Sequence, residues 1–389
     1  MGLYARHIQT MNTQDYINAS KKLQKASGWK FQTQRFLLNR LTEISILQKE
    51  VESGEYNPSV GAIFHVRENG HDRLVKSMVP KDAVLQHAMC DGVIIPELKK
   101  FLIHDNGAGL KGKGLSFTRR RFEEHLRWHF RRYGTEGYVL IIDFSKYFDN
   151  IRHDKLLELF QKYLPKEITD IITKILKNYE IDVSYSDNPN VDEEIFNSLE
   201  YQKIPQELKT GERMMKKSVG IGAPISQIAG IAFPMAIDTY IKTVKGIKCF
   251  DVYMDDRIII HPDKQFLKDL LEEIKEIAKE WGIFINPRKT QIVKISHGFT
   301  WLKTRYILTE SGKIIRKIPR DIIKRERRRL RKLAERVQEG EITEKEFLNL
   351  YKSWRGDKAR YNATHTLTNM DIYVRRLLCT NRQNEKRKS

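Results

Sequence analysis

The chain has 389 residues, with 70 Lys+Arg against 50 Asp+Glu and a formal net charge of +20. That length allows two or three structural units, and 40% hydrophobic with 10% aromatic residues excludes a disordered chain. Cys90, Cys249 and Cys379 stand far apart without a CxxC, the start lacks an apolar leader, and no apolar run nears the ~20 residues that span a bilayer. A disulfide framework, a cysteine zinc site, secretion and a membrane partner are therefore not expected, and the setting expected is a reducing cytoplasm. The excess of positive charge points to a polyanionic partner, foremost a nucleic acid.

In chain order, 11–53 reads as helices, with Leu37, Leu38, Leu41, Ile44 and Leu47 at helical spacing. The segment from Ala62 to Val79 alternates around Gly70 as a hairpin, and Lys81 to Leu102 reads as a helix. A Gly/Lys-rich loop at 105–114 precedes a basic, aromatic helix from Phe117 to Tyr133. Tyr138 to Ile142 is a fully apolar strand ending in Asp143; helices are expected over 154–180, then a polar, irregular stretch at 183–210. From Gly220 to Lys242 a glycine-bearing loop enters an apolar helix, and Phe250 to Ile260 reads as a hairpin with Asp255 and Asp256 at its turn. An amphipathic helix from Phe266 to Trp281, two strands within 299–318 and a helical C-terminal part complete an α+β pattern without repeats. The stretch from Lys313 to Ser389 holds 23 Lys+Arg and 10 Asp+Glu, so +13 of the +20 lies there. Within it, Arg325, Arg328, Arg329 and Arg331 are candidates for phosphate contact; a solvated helix face is the plain alternative.

Three carboxylates stand where apolar residues belong. Asp143 closes the strand YVLII, and Asp255 and Asp256 interrupt a run of strand-formers. An unpaired buried carboxylate costs several kcal/mol, roughly, and calls for a cation. A turn aspartate and an Asp-Asp hairpin tip explain each site singly. Together, carboxylates on two strand ends suit two Mg²⁺ ions, for which Mn²⁺ can substitute, and two metals ~3.5–4 Å apart serve nucleotidyl transfer.

Tyr253-Met254-Asp255-Asp256 resembles the YxDD box of reverse transcriptases, and Asp143-Phe144-Ser145-Lys146-Tyr147-Phe148 resembles their upstream aspartate motif. The resemblance runs over roughly 30–370. It implies a right-hand polymerase with fingers, a palm of antiparallel sheet and helices, and a helical thumb. The expected division is 1–135 for an N-terminal extension and fingers, 136–312 for the palm with an insertion near 183–215, and 313–389 for a basic thumb and tail. The implied metal set is Asp143, Phe144, Asp255 and Asp256, with Asp256 assisting. Phe148 matches the aromatic gate that excludes a ribose 2′-hydroxyl, or is an ordinary core residue. Arg73 matches the fingers arginine on the triphosphate, although the family's usual Arg-Pro after that hairpin is absent. Phe144, Gly222 and Gln227 fall among nucleotide-site positions. Lys111 and Lys113 match basic residues that reach template or primer, or are solvated. Lys289, in Asn286-Pro287-Arg288-Lys289-Thr290, matches a lysine beside the pyrophosphate leaving group, or is a surface lysine. Phe299-Thr300-Trp301-Leu302 sits at the primer-grip position.

Ile221-Gly222-Ala223-Pro224-Ile225-Ser226-Gln227 most resembles reverse transcriptases of diversity-generating retroelements, where Ile replaces a polar residue and low fidelity at template adenines goes with it. Gln86-His87-Ala88, Ser353-Trp354 and Thr364-His365 also look like that group, Trp354 and His365 being thumb core or template contacts. The expected function is an RNA-directed DNA polymerase that copies a cognate RNA into cDNA from dNTPs. A dedicated non-coding RNA and a small basic accessory protein are the partners implied. No ribonuclease H or endonuclease part is expected. An antiphage reverse transcriptase with its own non-coding RNA fits the same motifs. Retron or group II intron enzymes fit the Ile-Gly…Ser-Gln segment less well, and a non-catalytic RNA-binding scaffold would be expected to have lost the carboxylates. Phe148 argues against an RNA-dependent RNA polymerase.

Overall fold

Asn12 opens the first helix, Thr13–Ser27, with a capping box: its side chain accepts from the Asp15 N–H at 3.1 Å, and the Asp15 carboxylate accepts from the Asn12 N–H at 2.9 Å. This computed structural model describes residues 11–68 and 71–388. The tip at Gly70 and the first ten residues, on which the reading of a missing leader depends, lie outside them. Two further helices, Phe31–Leu38 and Arg40–Glu52, follow. Ile44 and Leu47 are buried as expected, but Leu38 and Leu41 are 84% and 68% exposed. The helix stops and restarts at Asn39, so one 3.6-residue period does not run across 37–47.

The chain divides into two units, one of 1–121, 142–257 and 268–290, the other of 122–141, 258–267 and 291–389. In the first, Ile63–Glu68 and His71–Lys76 pair antiparallel with Val66 opposite Arg73. Helix Pro80–Met89 starts on its proline and buries Asp82, whose carboxylate accepts from the Tyr56 hydroxyl at 2.9 Å and the Ser59 N–H at 2.8 Å. The helix expected to reach Leu102 widens into a π turn at Cys90–Ile94 and ends at Leu98. Pro96 explains this, since it has no N–H to return to the preceding turn. The 105–114 loop clamps strand Phe250–Tyr253: Gly107 N–H donates to the Val252 carbonyl at 3.0 Å and Val252 N–H to that of Asp105 at 3.1 Å.

Helix Lys166–Lys177 buries Ile168, Ile171, Ile172, Ile175 and Leu176 at helical spacing. The irregular segment that follows has a small core of its own, made by Ile181, Val183, Val191, Phe196 and Met215. Arg213 braces it by donating to the carbonyls of Ser186, Asn188 and Pro189 at 2.7–3.0 Å. Helix Pro224–Ala232 is apolar and almost wholly buried. Of a four-stranded sheet in the order Phe250–Tyr253, Asp256–His261, Tyr138–Ile142, Gln291–Lys294, this unit holds the first strand and the second unit most of the other three.

In the second unit Phe122 packs edge-on or tilted against Phe299, Trp301 and Tyr306, with centroids 4.9–5.8 Å away. Three strands, not two, occupy 299–318: Phe299–Trp301, Thr304–Leu308 and Ile314–Lys317. The first pair is split by a two-residue turn at Leu302 and Lys303, both at positive φ (44° and 58°). Such a turn usually announces itself with Asn or Gly, and neither is present. Helices Arg320–Gln338, Glu344–Lys358 and Thr364–Lys388 form the C-terminal part. Leu330, Phe347, Tyr351, Met370 and Val374 are its core, with Trp354 packed against it. His365 is exposed. No helix among the described residues is long and apolar enough to cross a membrane.

Candidate active site

Strand Tyr138–Ile142 delivers Asp143 to the edge of the core, and residues 284–290 fold around it. The Asn286 N–H donates to the Asp143 carbonyl at 2.8 Å, and its side-chain amide donates to the Asp143 carboxylate at 3.2 Å. Thr290 Oγ1 accepts from the Asp143 N–H at 3.3 Å. Lys289 Nζ lies 3.2 Å from the Asp143 carboxylate, an ion pair made by a side chain that is itself largely exposed to water. The hairpin turn brings Asp255 and Asp256 to the same place. Burial raises the pKa of both, and the charge of Asp143 adds to the effect; for Asp256, with Asp255 also beside it, the value is pushed up to about 7. Lys289 and Arg257 oppose the rise without cancelling it. Asp143, Asp255 and Asp256 together offer only oxygen donors, the ligand set that a hard divalent cation such as Mg²⁺ takes.

The turn itself is strained. Met254 has φ 56°, a left-handed conformation costing a side-chain-bearing residue ~1–3 kcal/mol. Arg257, fully buried, holds it there. Its Nη1 donates to the carbonyls of Met254 at 3.1 Å and Asp255 at 3.3 Å, while the rest of the guanidinium grips Asp238 at 2.8 and 3.2 Å. The same guanidinium stacks 4.5 Å from the Phe144 ring centroid. The Phe144 ring is thus buried beneath Arg257, and any contact from this residue to a metal falls to its carbonyl.

Phe148 begins a single 3₁₀ turn, Phe148–Asn150, and remains partly exposed. Its ring lies against Gly230: a Cβ there would sit 3.0 Å from Cζ and 3.1 Å from Cε1. Tyr147 locks the arrangement by donating its hydroxyl to the Gly230 carbonyl at 2.9 Å. Gly222 has φ 105°, and a Cβ on it would reach Val75 at 3.8 Å. Arg73, which is exposed, shares a strand face with Val75, since alternate residues do. Gln227 is exposed and turns its side chain toward Gly109 of the Gly/Lys loop.

A family model for reverse transcriptase (RNA-dependent DNA polymerase) matches residues 99–306, more than half of the chain. The chain belongs to the reverse transcriptase family. No curated protein sequence matches it. Solved structures similar to it include apo telomerase from Candida tropicalis truncated from its C-terminal domain, at 12% identity and TM-score 0.46, covering 72% of this chain and 60% of that one. Telomerase from Candida albicans in complex with a TWJ fragment of telomeric RNA gives 13% identity and TM-score 0.43 over 88% of this chain and 57% of that one. This chain therefore spans less than two thirds of either structure.

In this reverse transcriptase family member the fold gathers Asp143, Asp255, Asp256 and Lys289 at one place, and sets Gly222 beside Val75 of the strand that carries Arg73. Lys113 is occupied: its ammonium donates to the carbonyls of His104 at 2.7 Å and Asn106 at 3.0 Å, which braces the loop. Lys111 is exposed. Arg325, Arg328, Arg329 and Arg331 are exposed on helix Arg320–Gln338, with Arg329 paired to Glu326 at 2.9 Å and Arg325 near Asp321 at 3.6 Å. Sequence reasoning missed Asp238 and Arg257. The cue was available for Arg257, a cation that directly follows the two aspartates and precedes the apolar run Ile258, Ile259 and Ile260.

Proposed function

We propose that the chain is an RNA-directed DNA polymerase that extends a primer 3′-hydroxyl with dNTPs along an RNA template. The burial of Asp255 and Asp256 beside Asp143, which raises the pKa of both, carries this reading, because the trio calls for cations and supplies only oxygen ligands. Asp143, Asp255, Asp256 and the Phe144 carbonyl would hold two Mg²⁺ ions, or Mn²⁺ in their place. When bound, such ions favour the 3′-alkoxide and neutralise the leaving pyrophosphate. Lys289 offsets the carboxylate charge and is placed to give a proton to the pyrophosphate. Arg257 and Asp238 hold the Met254 turn so that both aspartates stay presented. Phe148, backed by Gly230, packs against the sugar and excludes a 2′-hydroxyl, while Arg73 binds the triphosphate beside Gly222, with Gln227 on the base-pair side. Residues 1–135, 136–312 and 313–389 act as fingers, palm and thumb, with Arg325, Arg328, Arg329, Arg331 and Lys111 on the nucleic-acid backbone. Its place is the cytoplasm.

The Ile221-Gly222…Ser226-Gln227 segment favours mutagenic retrohoming in a diversity-generating retroelement as the biological role, with a cognate RNA and a small basic accessory protein. Primer extension on RNA with dNTPs and Mg²⁺ or Mn²⁺ tests the chemistry. Wild-type protein is expected to make DNA, and Asp255→Ala to make none. Continued silence of the wild type when its co-purifying RNA is supplied would refute the polymerase. Sequencing that RNA tests the role: a template repeat matching a variable gene segment supports retrohoming, and an unrelated dedicated RNA points to phage defence.

A further inference from the structure

Residues 16–42 contain Lys21, Lys22, Lys25, Lys30, Arg35 and Arg40 and not one Asp or Glu. Lys22 pairs with Asp91, and Arg40 donates to the Gln24 side chain at 3.1 Å. No carboxylate among the described residues pairs with Lys21, Lys25, Lys30 or Arg35. At the corner between the first two helices, Trp29 is 77% and Phe31 78% exposed, and the Lys30 ammonium lies 5.5 Å from the Trp29 ring centroid. Phe31, Arg35 and Leu38 fall at i, i+4 and i+7 and share one face of helix Phe31–Leu38, while Thr33 and Phe36 are buried on the other. Two bare aromatic rings, a bare leucine and four cations thus stand exposed within 18 consecutive residues, 21–38.

Exposed rings of this size need a cover. An apolar protein groove would cover them only by stripping water from Lys30 and Arg35. A single-stranded nucleic acid meets both demands, because its bases stack on rings without regard to sequence and its phosphates receive the cations. We infer that Trp29 and Phe31 are a stacking platform for a single-stranded RNA segment, with Lys21, Lys25, Lys30 and Arg35 on its phosphates. The choice of RNA over DNA rests on the proposed copying of RNA; the stacking and the charge do not.

The test uses the full chain carrying Asp255→Asn, without dNTPs, so that binding is read whether or not the protein polymerises. A 15-nucleotide oligouridylate is the probe, with oligothymidylate of the same length and an RNA duplex as competitors. Oligouridylate is expected to quench tryptophan emission, and Trp29→Phe to abolish most of that quenching while keeping affinity by anisotropy. Trp29→Ala with Phe31→Ala should weaken binding at least tenfold, roughly the loss expected for removing base–aromatic stacks. Lys25→Gln, Lys30→Gln and Arg35→Gln together should reduce the salt slope by about 2, at roughly 0.7 per phosphate contact on a single strand. Unchanged affinity in the folded double-alanine variant overturns the inference. So does preferred binding of the duplex, or a Trp29 emission change that follows protein concentration without RNA and so assigns the surface to a second copy. Equal binding of oligothymidylate overturns the choice of RNA alone.

Discussion

Arg257 does three things with one guanidinium. It neutralises Asp238, fixes the carbonyls of a strained turn and covers the Phe144 ring. Removing it alone strands a buried carboxylate, which costs about 3–5 kcal/mol. Arg257→Met should therefore lower the melting temperature sharply, and Arg257→Met with Asp238→Leu should recover most of it. Single-turnover extension should stay slow in both, because Met254 and Asp255 still lack their donor. A double variant with full rate would show that the pair serves packing alone. Asp256 sets a second expectation, for metal-free protein. Its pKa is about 7 folded and roughly 3.9 unfolded, so between these values the native state binds more protons. Stability then falls as pH rises from about 4 to 7 and levels off above, and Asp256→Asn flattens that slope in thermal melts. These aspartates were legible in the sequence because each breaks an apolar run. Asp238 was not: it lies on a short buried helix and its partner is 19 residues further on, a pairing that spacing does not disclose.

At the scale of elements, helix Pro224–Ala232 sets where the Phe148 ring, the proposed gate, stands. Gly230 leaves room for the Phe148 ring, and Tyr147 bonds to its carbonyl. A methyl group there must push the ring by a few tenths of an ångström, toward the space proposed for the sugar. Gly230→Ala should raise the KM for dNTPs, and Phe148→Ala should admit ribonucleotides. The double variant should regain the dNTP KM while remaining permissive; steady-state kinetics with matched dNTP and NTP pairs would settle it. A KM unchanged in Gly230→Ala would uncouple helix and gate. Strong periodicity gave most helices and the hairpins correctly. Errors arose where periodicity is silent: it cannot report a helix restart at Asn39, nor a turn built from Leu302 and Lys303 without the usual residues.

For the whole molecule, the decisive quantity is charge. Of the +20, +13 belongs to residues 313–389, and helix Arg320–Gln338 keeps Arg325, Arg328 and Arg331 exposed above a buried apolar stripe. If these arginines meet phosphates, affinity for a primer–template duplex must fall with salt. Replacing all three with Gln should reduce the slope of log K against log salt by about 2–3, at roughly 0.7–0.9 per contact. An unchanged slope would return them to the status of a solvated face. The segment 181–215, a polar stretch with a private core, has a different bearing on the molecule. Asn150 exchanges two hydrogen bonds with the backbone of Phe196, and Asp149 accepts from Ser198. Both acceptor and donor sit on the turn that starts with Phe148. The insertion is therefore a handle on that turn. Whatever tugs on the handle, a helper protein or a fold of RNA, reaches the proposed choice between sugars from a distance.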